Sequence, residues 1–302
     1  MNSRTFTASS PWQSSKAPLA DVRYRAATVR ERFLPWAAGL LCSFFLLGRV
    51  ALIAAEPGMV FIPGGDFSRG RTYDWPDTKF IWYPTPLKDD LPVRRITVDP
   101  FFMDQAEVTN ERYAAFVKTT HHKPPYQWRN GEISKGMEKR PVVNVSWDDG
   151  AAFCAWEGKR LPTEAQWERS CRGIAEGHKY PWGDANPNAK FAVFGLDDGA
   201  QDVCTKEKNY FGLCDMIGNV WEWASDWYGR TYYEAAPEKN PQGPAEGRYR
   251  VLRGGSWFDT PDTFLTCSYR SWARQAERSP TIGFRCVKNF PPGAVKTSGN
   301  AR

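Results

Sequence analysis

Six cysteines, Cys154, Cys171, Cys204, Cys214, Cys267 and Cys286, have the widest chemical reach in this sequence, because a thiol can ligate a soft metal, attack as a nucleophile or close a disulfide. None belongs to a Cys-x-x-Cys pair, so neither a zinc cluster nor a thioredoxin-like redox motif is expected. An even count in an oxidising compartment predicts three disulfides, and spacing alone leaves their pairing open. The seventh cysteine, Cys42, lies in an apolar run without the usual residues of a lipoprotein cleavage site. His121 and His122 sit next to Lys123-Pro124 and His178 stands alone, so spacing assembles no iron triad or Ser-His-Asp arrangement. Asp259 and Asp262 flank Pro261, where an Asx turn is the expected role rather than a hard-metal site.

These residues need a scaffold, and the composition says which kind. The 302 residues are 41% hydrophobic and 15% aromatic, with 14 Trp, 25 Gly and 23 Pro. Gly and Pro punctuate regular structure while aromatics pin irregular backbone, so short strands and long ordered loops are predicted over helical bundles. Arg23, Arg25, Arg30 and Arg32 precede the apolar stretch from Phe33 to Ala55, which ends in small residues. That pattern predicts a basic leader over 1–32 and a signal peptide or membrane anchor over 33–55, hence a periplasmic or extracellular protein, secreted or anchored. Membrane contact is expected only through that segment. The net charge of +6 comes from scattered basic residues without a basic helix, so no nucleic-acid partner is expected.

One domain is predicted over 58–289, followed by a disordered tail over 290–302. It opens with Met59 to Phe67, a short strand ending in the Pro63-Gly64-Gly65 turn, and has a second strand over 96–103. Thr109 or Asn110 caps a helix with Tyr113, Phe116 and Val117 on one face. Ser146 with Asp149, and Thr163 with Gln166, form two capping boxes whose helices stop at Gly158 and Gly173 and carry Cys154 and Cys171 inward. Strands are predicted over 250–252 and 283–287.

Nine segments in order then carry a resemblance: Met59 to Gly65, Glu107-Val108-Thr109-Asn110, Val145-Ser146-Trp147, Gly158 to Glu168, Tyr180-Pro181-Trp182-Gly183, Phe211-Gly212-Leu213, Gly218 to Trp223, Arg253-Gly254-Gly255-Ser256-Trp257 and Gly283-Phe284-Arg285. Together they resemble the formylglycine-generating enzyme, or sulfatase-modifying factor, family. The resemblance implies an α+β, C-type-lectin-like single domain with little regular secondary structure. It also implies the family's reaction, oxidation of the cysteine in a Cys-x-Pro-x-Arg segment of an unfolded sulfatase by oxygen at a copper ion held by two cysteines. Those cysteines follow the Arg-Gly-Gly-Ser-Trp motif, and the corresponding positions here are Asp259 and Phe264. Monovalent copper prefers soft thiolates, so copper is not expected.

Cys267 fits the family's structural cysteine better than a shifted copper ligand. The family pattern pairs Cys154 with Cys286 and Cys171 with Cys267, leaving Cys204 for Cys214. It also implies calcium at Asp215, Glu222 and the carbonyls of Gly218 and Val220, hard oxygen donors that suit the ion. A second family calcium site is left in doubt for lack of a matching Asn between Ala192 and Phe194, with Asp197 and Asp198 as carboxylates nearby. Ser256, Trp221 and Arg270 match positions near the family's active groove, where a protein or peptide segment or a small molecule is the expected partner. With no confident catalytic residue, the reading is a binding, regulatory or scaffold domain. The alternatives are an envelope oxidoreductase or maturation factor of the siderophore or nitrite-reductase-accessory type, and a sulfatase activator.

Overall fold

The computed structural model describes residues 56–73, 88–174, 177–260 and 264–291. The leader, the apolar stretch, Asp262 and most of the expected tail lie outside these residues. Among them, no helix is long and apolar enough to cross a membrane. Phe290, assigned to the tail from the sequence, packs instead on the rings of Phe61 and Phe102.

The first expected segment turns at Pro63-Gly64-Gly65, and the second expected strand is broken by Pro100 opposite that turn. The first becomes β1 (Met59–Ile62) and β2 (Gly65–Arg69), the second β3 (Arg94–Val98) and β4 (Phe101–Asp104). Pro63 and Pro100 lack the N–H that a ladder needs. The paired chains therefore part there, β2 with β3 as a two-stranded sheet and β1 with β4 in another. The expected strand over 283–287 is split too, into β8 (Ile282–Gly283) and β9 (Val287–Asn289). Between them Phe284, Arg285 and Cys286 are all buried, so the chain leaves one sheet and joins the other. β9 adds to β4, completing the order β1-β4-β9, while β8 lies parallel to β5 (Trp221–Trp227). β5 also pairs with β6 (Arg250–Arg253), and β6 with β7 (Ser271–Ala273), a strand the sequence reading omits.

The helices follow their capping chemistry. Thr109 caps α1 (Asn110–Thr120), and both capping boxes form, at α2 (Trp147–Trp156) and at α3 (Glu164–Arg172). A short α4 (Tyr232–Ala235) has no side-chain cap, and the Arg69 guanidinium lies 3.6 Å over its Tyr233 ring. The core forms two clusters, one around Trp167 with Cys171 and Cys267, the other around Tyr113, Phe153 and Trp223 with Cys154 and Cys286. Disulfides join Cys154 to Cys286, Cys171 to Cys267 and Cys204 to Cys214. The result is an α+β domain with little regular secondary structure, held by short strands, capped helices and disulfides.

Charge lies inside as well. Every residue of α3 is buried, and the helix packs against β2, β3, β5 and β6. Around it Arg69, Arg172, Arg253 and Arg270 meet Glu164, Glu168 and Asp226 in the core. Burial, then repulsion from Glu164, pushes the Asp226 carboxyl up to about 7, although the Glu164 N–H and the Ser225 hydroxyl donate to it. The folded chain therefore holds a proton that the unfolded chain releases near pH 4. That contribution is complete below the ordinary aspartate value and is lost as pH rises through about 7. Urea melts of the wild type relative to Asp226→Asn should show the difference: ~2 kcal/mol of stability lost between pH 5 and pH 7 in the wild type only, with a slope near ~1.4 kcal/mol per pH unit that flattens as the carboxyl titrates. Equal slopes would remove Asp226 as the cause.

Candidate functional site

The loop after Trp257 is set by two glycines in the left-handed region, Gly254 at φ 101° and Gly255 at φ 79°. At Gly255 the positive φ disfavours any side chain, and a Cβ would also crowd the buried Leu265 side chain. The chain is thus folded tightly enough for Asp259 to reach back. Its Oδ2 accepts from the Ser256 N–H at 2.9 Å and from the Ser256 hydroxyl at 2.6 Å. The Asx-type bonding expected ahead of Pro261 therefore runs backwards, to the residue three earlier. Burial raises the Asp259 carboxyl, against hydrogen bonds from Ser256 and Trp221 that lower it.

At the other copper-loop position, the half-buried Phe264 packs edge-on to Tyr269 with centroids 5.1 Å apart, and 6.5 Å from Trp221. Cys267 is bonded to Cys171. The loop therefore presents a carboxylate tied into a turn and a packed ring where a thiolate pair would be needed for monovalent copper. Of the groove candidates, Ser256 serves the turn and Trp221 packs against Phe264. Arg270 lies within the core, donating to both oxygens of Glu164 and to the carbonyls of Asp89 and Gly229.

The segment with Asp215 and Glu222 is as constrained. Asp215, Gly218 and Asn219 all have positive φ, and a Cβ on Gly218 would meet the Val193 carbonyl oxygen at 2.3 Å. The close approach lets Asn219 donate its N–H to that carbonyl. Asp215 accepts from the Cys204 N–H at 2.7 Å. Both oxygens of Glu222 accept from Arg285 at 2.7 Å, and the Trp167 indole adds a third bond at 2.9 Å. Glu107, which the sequence reading did not single out, joins them: Oε1 accepts from Asn219 Nδ2 at 3.2 Å, and Oε2 has no hydrogen-bond partner.

Three buried carboxylates thus surround one buried guanidinium. Burial pushes Glu107 well above the usual carboxylate range, with repulsion from Asp215 second, and burial also raises Asp215. Burial alone would lower the Arg285 guanidinium, but Glu222, Glu107 and Asp215 outweigh it and hold Arg285 charged. The donors are hard oxygens, the class that calcium takes and a soft ion does not. Glu107 and Arg285 were visible only as members of quoted motifs. The signal that would have found them is a charge directly flanked by core residues, Val108 beside one, Phe284 and Cys286 beside the other. Cys204, Cys214 and Asp215 place donor atoms within 4.8 Å of each other, but the two sulfurs are bonded together.

Two open clefts flank these segments. One, of about 430 Å³, is lined by Tyr126, Trp128, Met137, Asn144 and Trp257 among others, and Phe258 beside it is 62% exposed. The other, of about 500 Å³, is lined by Asp104, Gln105, Glu107, Lys159 and Cys204 among others. His121 ends α1 in the left-handed conformation, while His122 meets Asp149 at 2.8 Å and His178 meets Asp184 at 2.8 Å.

Fold and motifs together define a domain of the formylglycine-generating-enzyme type. The family model described as a sulfatase-modifying factor enzyme 1-like domain matches residues 50–290, and the chain belongs to that family. The formylglycine-generating enzyme of Streptomyces coelicolor is 34% identical over 310 residues, covering 82% of this chain and 94% of that enzyme. The serine/threonine-protein kinase pkn1 of Chlamydia pneumoniae is 36% identical over 249 residues, 77% of this chain. The chain spans only 38% of that kinase's length. PvdO from Pseudomonas aeruginosa is a structural relative with a TM-score of 0.64 at 26% identity, covering 78% of this chain and 100% of that one.

Proposed function

We propose that this chain is an exported sulfatase-modifying-factor-family domain that has left copper-dependent formylglycine chemistry and works as a binding or regulatory module, with calcium fixing the Asp215–Glu222 segment. The observation that carries the reading is the occupied copper loop: Asp259 is consumed by Ser256 and Phe264 by its ring contacts, while Cys267 is closed in a disulfide. The cleft beside Trp257 supports the binding role, because it combines aromatic and apolar walls with polar groups such as Asn144 and Gln127. Its occupant would be an extended peptide or protein segment. Calcium would be held by Asp215, Glu222 and the Gly218 and Val220 carbonyls, and would supply charge balance and rigidity rather than redox chemistry.

Elemental analysis and oxygen uptake test this together. The purified domain is expected to carry calcium but not stoichiometric copper, and to consume no oxygen with a Cys-x-Pro-x-Arg peptide and added copper(I). Removing calcium with a chelator should lower the melting temperature, by the linkage expected when a ligand binds only the folded state. One copper per chain with peptide-dependent oxygen uptake would overturn the reading in favour of a sulfatase activator. A different bound redox metal would support the maturation-enzyme alternative.

A further inference from the structure

Cys204 is the one domain cysteine that reaches the surface, where it lines the 500 Å³ cleft; Cys214 and the four cysteines of the two long bridges are buried. Its bridge closes a loop of only 10 residues, against 132 and 96 for the others. A short closed loop restricts the unfolded chain least, and an accessible sulfur can be attacked by an outside thiol, so a reductant should open this bridge first. Opening it would not scatter the two sulfurs, because the backbone on each side is held by bonds that involve no sulfur. The Cys204 N–H donates to Asp215 Oδ2 at 2.7 Å, and the Val203 N–H to the Lys139 carbonyl. The Cys214 N–H donates to the Gln105 carbonyl, and the Cys214 carbonyl accepts from Arg285 Nη2. Between them Asn209 ties the loop across: its Oδ1 accepts from the N–H groups of Phe211 and Leu213, and its Nδ2 donates to the Ser170 carbonyl. A carboxylate oxygen of Asp215 lies within 4.8 Å of both sulfurs.

We propose that Cys204, Cys214 and Asp215 form a latent site for a thiophilic divalent ion of the zinc class, closed in the oxidised chain and opened when an external dithiol reduces the bridge. The reduction is a two-electron exchange. A thiolate of the dithiol attacks Cys204 Sγ and Cys214 leaves as thiolate; the reagent's second thiolate then displaces Cys204 and closes its own disulfide. The dithiol is oxidised, and its two protons pass to solvent when the freed thiolates take up the ion. Zinc holds sulfur at about 2.3 Å and carboxylate oxygen at about 2.1 Å, so its tetrahedral donors lie roughly 3 to 4 Å apart, a spacing this cluster can reach once the sulfurs separate. Two sulfurs and one oxygen leave the fourth position to water.

For the test, the full chain is freed of calcium, because Asp215 is shared with the segment proposed above. It is then treated with graded dithiothreitol, alkylated and mapped by mass spectrometry. Cys204 and Cys214 should be labelled at roughly tenfold less dithiol than the other four cysteines. Zinc added to this selectively reduced chain, after removal of the reagent, should bind one per molecule and slow their labelling about tenfold. Cobalt(II) in its place should give a thiolate-to-metal charge-transfer absorption. Asp215→Asn keeps an acceptor for the Cys204 N–H but loses the charge, so it should bind zinc roughly tenfold more weakly with the order of reduction unchanged. Should that variant fail to fold, Cys204→Ser decides: a hydroxyl replaces one thiolate, so zinc binding and the absorption should be lost. Long bridges that open at the same dithiol concentration, a reduced chain that takes no zinc, or a zinc affinity unmoved by the substitution would each overturn the assignment. Each would leave the calcium reading standing, since calcium would be held by the oxidised chain.

Discussion

Glu168→Ala is expected to unfold the domain or to destabilise it by about 5 kcal/mol, at or beyond the upper end for removing one partner of a buried ion pair. Glu168 is 0% exposed, and each of its oxygens serves two donors. Oε1 accepts from Arg172 Nε at 2.9 Å and the Gly70 N–H at 2.8 Å; Oε2 accepts from Arg253 Nη2 at 2.8 Å and the Tyr233 hydroxyl at 3.3 Å. Removing the carboxylate strands two buried guanidiniums and a backbone N–H together, and none can turn to water. Arg253 still donates to the carbonyls of Ser268 and Tyr269, but its charge is left to Glu164, whose two oxygens are occupied by Arg270. Glu168→Gln should fall between, since the amide oxygen can keep one arginine while its NH₂ faces the other. Urea midpoints of the three proteins would check the order. A Glu168→Ala protein within 1 kcal/mol of wild type would mean that the network adds little to stability.

Sequence made this cluster hard to see for a physical reason. Glu164 and Glu168 stand in a capped helix whose local signals, Thr163 and Gln166 at one end and Gly173 at the other, are complete without any tertiary partner. On an ordinary amphipathic helix those acids would face water. Here the whole helix is inside, and what makes that tolerable is arginines brought from β2, β6 and the segment before β7, far away in sequence. The same distinction sorts the rest of the fold. Caps at Thr109, Ser146 and Thr163 were legible because a cap is decided within four residues. The breaks at Pro63 and Pro100 belong to residues whose effect is local, yet their consequence, one ribbon divided between two sheets, depends on what lies across. The missed β7 and α4 are three and four residues long; one exists because β6 offers an edge, the other because Arg69 stacks on Tyr233.

The copper-loop positions show the opposite case. Asp259 and Phe264 were legible as substitutions for thiols, since a missing sulfur needs no geometry to recognise. Their new roles were not legible. Asp259 bonds back to Ser256 only because the two preceding glycines turn the chain, and Phe264 finds Tyr269 only because Cys267 is anchored to Cys171 in between. In the acid cluster around Arg285, Asp215 and Glu222 could be named from one continuous segment. Glu107 could not, because it reaches that segment from before α1.

Loss of the long-range disulfides is the second large effect expected, and it should be graded by loop length. Cys154–Cys286 spans 132 residues and Cys171–Cys267 spans 96, whereas Cys204–Cys214 spans 10. If a bridge acts by restricting the unfolded chain, the first two contribute about 5 kcal/mol each and the last about 3 kcal/mol, on the chain-entropy relation. Paired serine substitutions, with urea midpoints and slopes measured for each, should reproduce that ranking. The two long bridges also fix the places where the fold has least regular structure to hold it. Cys286 lies between β8 and β9, where the chain crosses from one sheet to the other, and Cys267 lies in the loop just before β7. Removing Cys154–Cys286 should therefore raise amide exchange first around 284–289, and removing Cys171–Cys267 around 265–270, before either affects β5. If all three variants lost the same stability, the bridges would be acting through native-state packing, and the entropic account would have to be given up for this domain.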